Sequence, residues 1–359
     1  MNPQLISLKN LAVKKTILFL LAAVSPLISL AGQFHINAQA GNDANPGTQA
    51  QPLKTIAEAG RRVNSSYTKG ADTVILAGGV YPLTETVLFT NNKYSLESRL
   101  VIKAEIMPDD PDWSPQDMPI IASVIQGIKT PKDGDESKGL QIETSHVTIE
   151  GLRFIGSPAY YYIDGKHNRR YYPIWRDGKT LDDLVVTQCL FSGNADISAI
   201  RVAVIANGHG LVVDHCVFFN CQNSVVFWDA EGGTSYRNAM RYCLVYNGNY
   251  SGVWTTGNTA DDFEFHHNII ADSHTAWISD KSRHHYSAHD CIFTGNTNLT
   301  EYGSDTGGIN GPAGNSFLRT DNIQVNGKIE IEKNQAKRNY LQLKEGSFGQ
   351  NLKAGLFKK

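Results

Sequence analysis

The chain has 359 residues with 41% hydrophobic and 19% charged side chains, a balance that excludes a disordered polymer and suits one long domain or two ordinary ones. Its formal net charge of -2 argues against general nucleic-acid binding, although a net value hides local patches. The five cysteines cannot all pair within the chain, so at least one is expected to serve another purpose.

Lys14 and Lys15 precede an apolar run over 17–24, followed by Pro26 and the small-residue end Ser29-Leu30-Ala31. This order of positive, apolar and small residues is that of a secretory signal peptide over 1–31, cleaved near Ala31. The run is too short for a membrane span, which takes about 20 apolar residues. No Cys lies nearby to carry a lipid anchor. The mature chain, 32–359, is therefore expected to be secreted or periplasmic, free of the membrane and monomeric, in a compartment that permits disulfides.

The first part of the mature chain, 32–142, alternates turn residues with short β-rich runs at 72–81, 86–89, 99–105, 120–125 and 140–143. Residues 53–63, LKTIAEAGRRV, instead place apolar side chains at helical spacing. A helix here would cap the open end of a strand stack, which otherwise invites end-to-end association.

A repeat dominates the next part, 143–305. LVVTQCLFSGN (184–194), LVVDHCVFFNC (211–221), NAMRYCLVYNG (238–248), FEFHHNIIADS (263–273) and YSAHDCIFTGN (286–296) align on Cys189, Cys216, Cys243, Asn268 and Cys291. The steps are 27, 27, 25 and 23 residues, and VTIEGLRFIG (147–156) fits with Leu152 in the shared position. One repeat is one coil of a solenoid, too small to bury its apolar face without its neighbours. Two columns are expected in the core: Val186, Val213, Met240, Phe265 and Ala288, and Phe191, Phe218, Val245, Ile270 and Phe293. The Cys/Asn column is expected to be a buried ladder at a turn, with the cysteines acting as small apolar residues. Metal ligation and disulfides between coils are the alternatives. The remainder, 306–359, reads as a closing segment.

FHINAQAGNDANPGTQAQPLKTIAEA (34–59), followed by DTVILAGGVY, resembles the opening of secreted proteins of the pectate-lyase-like superfamily. The shared features are an extended strand, a Gly-Asn-Asp-x-Asn-Pro-Gly-Thr turn, a Pro-x-x-Thr-Ile helix and a Gly-x-Tyr first coil. YLQLKEGSFGQNLKAGLF (340–357) resembles the closing segment of the same group. The resemblance implies an all-β fold: a right-handed parallel β-helix (solenoid) with a short N-terminal cap helix. It leaves the subfamily unassigned, because the superfamily holds lyases, hydrolases, epimerases and non-enzymes, and fold does not fix function. The Asp-rich calcium cluster with a following Lys is absent from the sequence. Gly208-His209-Gly210 and Asp261-Asp262 echo two polygalacturonase motifs in the wrong order.

After each Cys/Asn position a further strand is expected: SAIRV (198–202), SVVFWD (224–229), SGVWTT (251–256) and TAWISDK (275–281), with YYPIWRD (171–177) from an earlier coil. Coils stack about 4.8 Å apart, so matching side chains form files. In the superfamily that the sequence resembles, the sheet in this position carries the substrate groove. The expected outward file holds Arg176 or Asp177, Arg201, Asp229, Thr256, and Asp280 or Lys281, with Phe227 and Trp254 beside it. The insertion 157–180 adds five tyrosines, Trp175 and several basic residues. Aromatic faces beside cations suit an acidic sugar chain, which makes Arg176, Trp175, Phe227, Trp254 and Tyr172 candidate substrate contacts. Each aromatic has a plain alternative as a core residue.

A polysaccharide lyase must neutralise a uronate carboxylate and remove the neighbouring proton. Lys281 is the candidate base, its pKa lowered by Arg283, with His284 in the same turn. Arg201 and Arg176 are candidate carboxylate binders. Asp229, Glu231 and Asp280 could hold Ca²⁺ or orient the cations. Asp229 and Lys281 lie two coils apart, about 10 Å, which spans neighbouring sugars and not one bond. The reading is a lyase of a uronic-acid polysaccharide. The alternatives are a glycoside hydrolase using pairs among Asp177, Asp229, Glu231 and Asp280, and a non-catalytic carbohydrate-binding or surface protein. A second polar file, Asp214, Arg241, His266 and His289, is expected on an adjacent sheet. His266-His267 is not expected to act as a metal pair, since neighbouring strand residues face opposite sides.

Overall fold

The structure is a computed structural model describing residues 32–67, 69–125, 128–130, 134–156, 170–194, 200–228, 233–280, 285–303, 305–307 and 317–359. These residues build a right-handed parallel β-helix with three sheets. Sheet one stacks Gln33–Ile36, Asp72–Leu76, Leu100–Ala104, Val147–Glu150, Leu184–Thr187, Leu211–Asp214, Ala239–Arg241, Glu264–His266, the start of Tyr286–Thr294, and Leu318–Gln324. Sheet two runs from Val80–Leu83 and Ile120–Ser123 through Leu190–Ser192, Val217–Phe219, Leu244–Tyr246 and Ile269–Ala271 to the end of Tyr286–Thr294. Sheet three holds Val87–Phe89, Gly134–Ile142, Arg170–Arg176, Val202–Ala206, Asn223–Phe227, Ser251–Thr255, Thr275–Ser279 and Asn298–Tyr302.

The repeat register holds in space. Both expected core columns are buried, and Phe154, Phe191 and Phe218 form a stacked file with centroids 5.0 and 4.9 Å apart. Five successive coils bend between sheets one and two at a non-glycine residue in the left-handed region, Gln188, His215, Tyr242, His267 and Asp290, where the coil before them uses Gly151. That conformation is costly for most side chains and repeats here because the next residue must turn inward. The inward residue is the Cys/Asn ladder. All five cysteines, Cys221 included, are buried and free, so no disulfide joins them. Cys189, Cys216, Cys243 and Cys291 donate to the carbonyl two residues earlier, at 3.3, 3.4, 3.3 and 3.2 Å. Asn268 satisfies the same bend with both ends of its amide, accepting from Cys243 N at 2.9 Å and donating to Met240 O at 2.8 Å. A small side chain able to hydrogen-bond is what the bend needs.

The N-terminal helix spans Ile56–Asn64, shorter than the sequence pattern, because Leu53 is drawn into a bridge with Ile36. Thr55 caps it by accepting from Glu58 N at 3.1 Å, and Ile56, Ala59, Gly60 and Val63 face the coil beneath. At the other end the chain folds back over the outside of sheet two. Ile329, Leu341, Leu343, Leu352 and Leu356 cover Leu190, Val217, Leu244, Ile269 and Ile292. Arg338 ties this strap to an early coil by donating to the carbonyls of Pro108, Asp110, Pro111 and Trp113, each at 2.9 Å. Among the described residues, no helix is long and apolar enough to cross a membrane.

Candidate functional site

Sheet three departs from strict alternation on two of its strands. Ala203 with Val204, and Ala276 with Trp277, all join the core although each pair is consecutive. The register then aligns one outward file: Gln141, Trp175, Ile205, Val226, Trp254, Ile278 and Glu301. The next position inward is Ile142, Arg176, Ala206, Phe227, Thr255 and Ser279.

Several expectations are corrected by this register. Phe227 pairs with Thr255, not Trp254, and is 1% exposed, packed at 4.6 Å against Phe263. Thr256 is likewise buried, donating to Phe227 O at 3.0 Å. Arg176 is 2% exposed: its Nε donates to Asn207 O at 2.6 Å. Burial lowers its pKa to about 10, opposed by Asp182 and Asp183, so it stays a cation inside the fold. Neither Phe227 nor Arg176 can meet a polymer on the outer surface. The sheet-three strand that follows Cys189 is Val202–Ala206, which places Arg201 just before it.

Trp175, Trp254 and Tyr172 do face outward, sharing an apolar cluster with Val202, Ile205 and Val226. Trp175 and Trp254 are half-buried and three coils apart, about 14 Å. Each has a polar border. Lys138 Nζ lies 4.1 Å from the Trp175 ring centroid, and Tyr172 meets that ring edge-on at 4.8 Å. Trp254 Nε1 donates to Asp280 Oδ1 at 3.1 Å, and Tyr250 packs against the same indole at 5.9 Å.

Tyr250, Glu301 and Lys138 are the members of this face that sequence reasoning missed. Finding Glu301 required recognising NLTEY, 298–302, as one more coil in register with TAWIS. Burial first, and then the carboxylates of Glu301 and Asp280, raise the Tyr250 pKa, while Arg201 opposes them. A phenol, two carboxylates and a guanidinium therefore share one electrostatic neighbourhood beside Trp254. At neutral pH that phenol is a proton donor, not a base.

The remaining candidates, Lys281, Arg283, His284, Asp229 and Glu231, lie outside the described residues. Of the three residues considered for Ca²⁺, only Asp280 is described, and one of its oxygens accepts from Trp254.

The second polar file has the expected order, with Asp214, Arg241, His266 and His289 in register on sheet one. Asp214 holds Arg241 Nε at 3.1 Å, His215 Nδ1 at 3.1 Å and, more loosely, Lys358 Nζ at 3.9 Å. The premise that His266 and His267 face opposite sides is corrected. Their Nδ1 atoms are 3.0 Å apart, because His267 adopts the left-handed bend and swings to the same side as His266.

Comparison with known proteins agrees with the architecture. The family model described as a right-handed beta helix region matches residues 120–298. No curated protein sequence matches the chain. Among solved structures, a lacto-N-biosidase from Eubacterium ramulus aligns at 12% identity and TM-score 0.48, covering 82% of this chain and 68% of its own. A pectate lyase, Pel9A, aligns at 10% identity and TM-score 0.45, covering 89% and 91%. A pectin methylesterase from Erwinia chrysanthemi aligns at 12% identity and TM-score 0.38, covering 92% and 98%.

Proposed function

Starting from a right-handed parallel β-helix whose third sheet carries two outward tryptophans in one file, we propose that the protein binds an acidic polysaccharide along that face and cleaves it by β-elimination. The observation that carries the reading is the Trp175–Trp254 file, bordered by Lys138 at one indole and by Asp280 and Tyr250 at the other, with the Arg201 charge acting on Tyr250. Half-buried indoles offer flat apolar faces to sugar rings, and the polar borders answer their hydroxyls. A span of about 14 Å suits a polymer rather than a single sugar.

In this reading Arg201 neutralises the uronate carboxylate, which acidifies the neighbouring C–H. Lys281, which follows Asp280 directly in the chain, takes the proton, with Arg283 lowering its pKa and His284 alongside. Asp229 and Glu231 orient these cations. The protonated Tyr250 donates to the leaving oxygen. The acidic polymer is thus met by Arg201 and Lys138, and no step is routed through Ca²⁺. Export to the periplasm or the exterior, where such polymers lie, follows from the signal-like segment 1–31.

A specific observation favours a second reading. Tyr250 senses both Glu301 and Asp280, carboxylates from neighbouring coils. Two carboxyl groups flanking one bond are the requirement for glycoside hydrolysis.

Product analysis separates the two. Purified protein is incubated with a panel of uronic-acid polysaccharides while the absorbance of unsaturated uronate is followed. A rise supports elimination, and new reducing ends without it support hydrolysis. Neither signal on any polymer that the protein retains overturns cleavage and leaves a binding protein. Lys281→Ala with undiminished turnover would remove Lys281 from the role of base.

A further inference from the structure

A different face carries a second site. We propose that His267, His289 and Asp290, with His266 as a fourth donor, bind a borderline divalent transition-metal ion such as Zn²⁺. One ligand atom from each of His267, His289 and Asp290 lies within 4.8 Å of the others. His266 Nδ1 lies 3.0 Å from His267 Nδ1, and the His266 and His289 rings stack at 5.0 Å.

The fold brings these groups together by a repeat of one device. His267 and Asp290 are the left-handed bend residues of successive coils, with φ of 55° and 53°. Each bend turns its side chain to the side of the preceding strand residue, and those residues, His266 and His289, are themselves in register. Four donors from two coils thus converge although no linear motif announces them. The two coils lie about 4.8 Å apart, a gap that small rotamer changes close to ligand–ligand spacing.

The donor chemistry selects the ion. Imidazole nitrogens with one carboxylate match Zn²⁺, Cu²⁺ or Ni²⁺ and not the all-oxygen sets of Ca²⁺ or Mg²⁺. Asp290 has outer support of the kind that ligating carboxylates receive, because Asn322 Nδ2 donates to its Oδ1 at 2.6 Å. Its Oδ2 lies 2.9 Å from His289 Nδ1, so these two donors are already within reach of one ion. The side chains of His289 and Asp290 are 47% and 35% exposed, so an ion can enter and retain a water ligand. The cysteines do not compete, since all are buried and burial raises the pKa of the Cys291 thiol to about 12.

The test uses the full chain without a polyhistidine tag, titrated with Zn²⁺ by calorimetry and with Co²⁺ by visible absorption. The expected result is one ion per chain at micromolar affinity, with a Co²⁺ spectrum of nitrogen–oxygen ligation. His267→Ala, His289→Ala and Asp290→Asn should each weaken binding at least tenfold. His266→Ala should weaken it less and change the Co²⁺ spectrum. His35→Ala and His209→Ala, at histidines elsewhere, should leave affinity unchanged. Binding weaker than millimolar in the unmodified chain overturns the site. So does unchanged affinity in both His267→Ala and His289→Ala, whose circular dichroism confirms that each is folded. An unchanged Co²⁺ spectrum in His266→Ala removes the fourth donor.

Discussion

Sheets two and three both present an apolar outer face, and they are used differently. Sheet two carries aliphatic residues, Leu190, Val217, Leu244, Ile269 and Ile292, and the chain covers them with its own C-terminal strap. Sheet three interrupts its aliphatic residues with Trp175 and Trp254 and borders them with Lys138, Asp280 and Tyr250. An apolar outer face is therefore not by itself a binding surface in this fold. What separates the two is the polar border, which an aliphatic patch sealed by its own chain does not need.

This contrast predicts that damage to the two faces has separable consequences. Leu244→Ala opens a cavity between sheet two and the strap, and should cost about 2–5 kcal/mol in urea unfolding. Polysaccharide affinity per folded molecule should not change, and a fall in affinity would break the distinction. Trp254→Ala should do the reverse. It should weaken retention on an acidic polysaccharide gel by about tenfold, or about 1.4 kcal/mol, with a small change in Tm. Equal loss of stability and retention would mean that the indole serves packing alone.

Smaller effects sharpen the account of the strap. Arg338→Ala removes donors to four early carbonyls, but the guanidinium is exposed. A loss of about 1 kcal/mol is expected, read as faster amide exchange confined to 329–357 and the facing turn at 108–113. Asp214, which also touches the strap through Lys358, should give the smallest effect. Burial raises its pKa, but His215 and Arg241 outweigh burial and the net shift is downward. A carboxylate with a depressed native pKa stabilises the fold above its unfolded value, and that contribution disappears as pH falls through the native one. Stability on the acid side should thus decline less steeply in Asp214→Asn than in the unmodified chain. Identical acid limbs in the two proteins would show that Asp214 does not link titration to folding.

Much of the scaffold was legible without coordinates. The Cys/Asn column, the two core columns and the helix after Thr55 all rest on local periodicity, which a solenoid converts directly into stacking. Within the site, Trp175, Trp254 and Tyr172 were legible as aromatics on sheet three. Arg176 and Phe227 were not placed correctly, because the outward file falls one residue earlier on their strands, at Trp175 and Val226. A register error of one residue exchanges the two faces of a strand. The approach of His266 to His267 escaped for a related reason: alternation was assumed through a residue that is not in a strand conformation.

The sequence by itself determined that this chain is a parallel solenoid of coils stacked on a buried ladder, since each coil needs its neighbour to bury its apolar side. Only the tertiary structure decided which outer face stays available. That choice depends on the register of sheet three and on a C-terminal strap that returns to sheet two from residues far along the chain. Both are long-range packing outcomes, and no local pattern of polar and apolar residues encodes them.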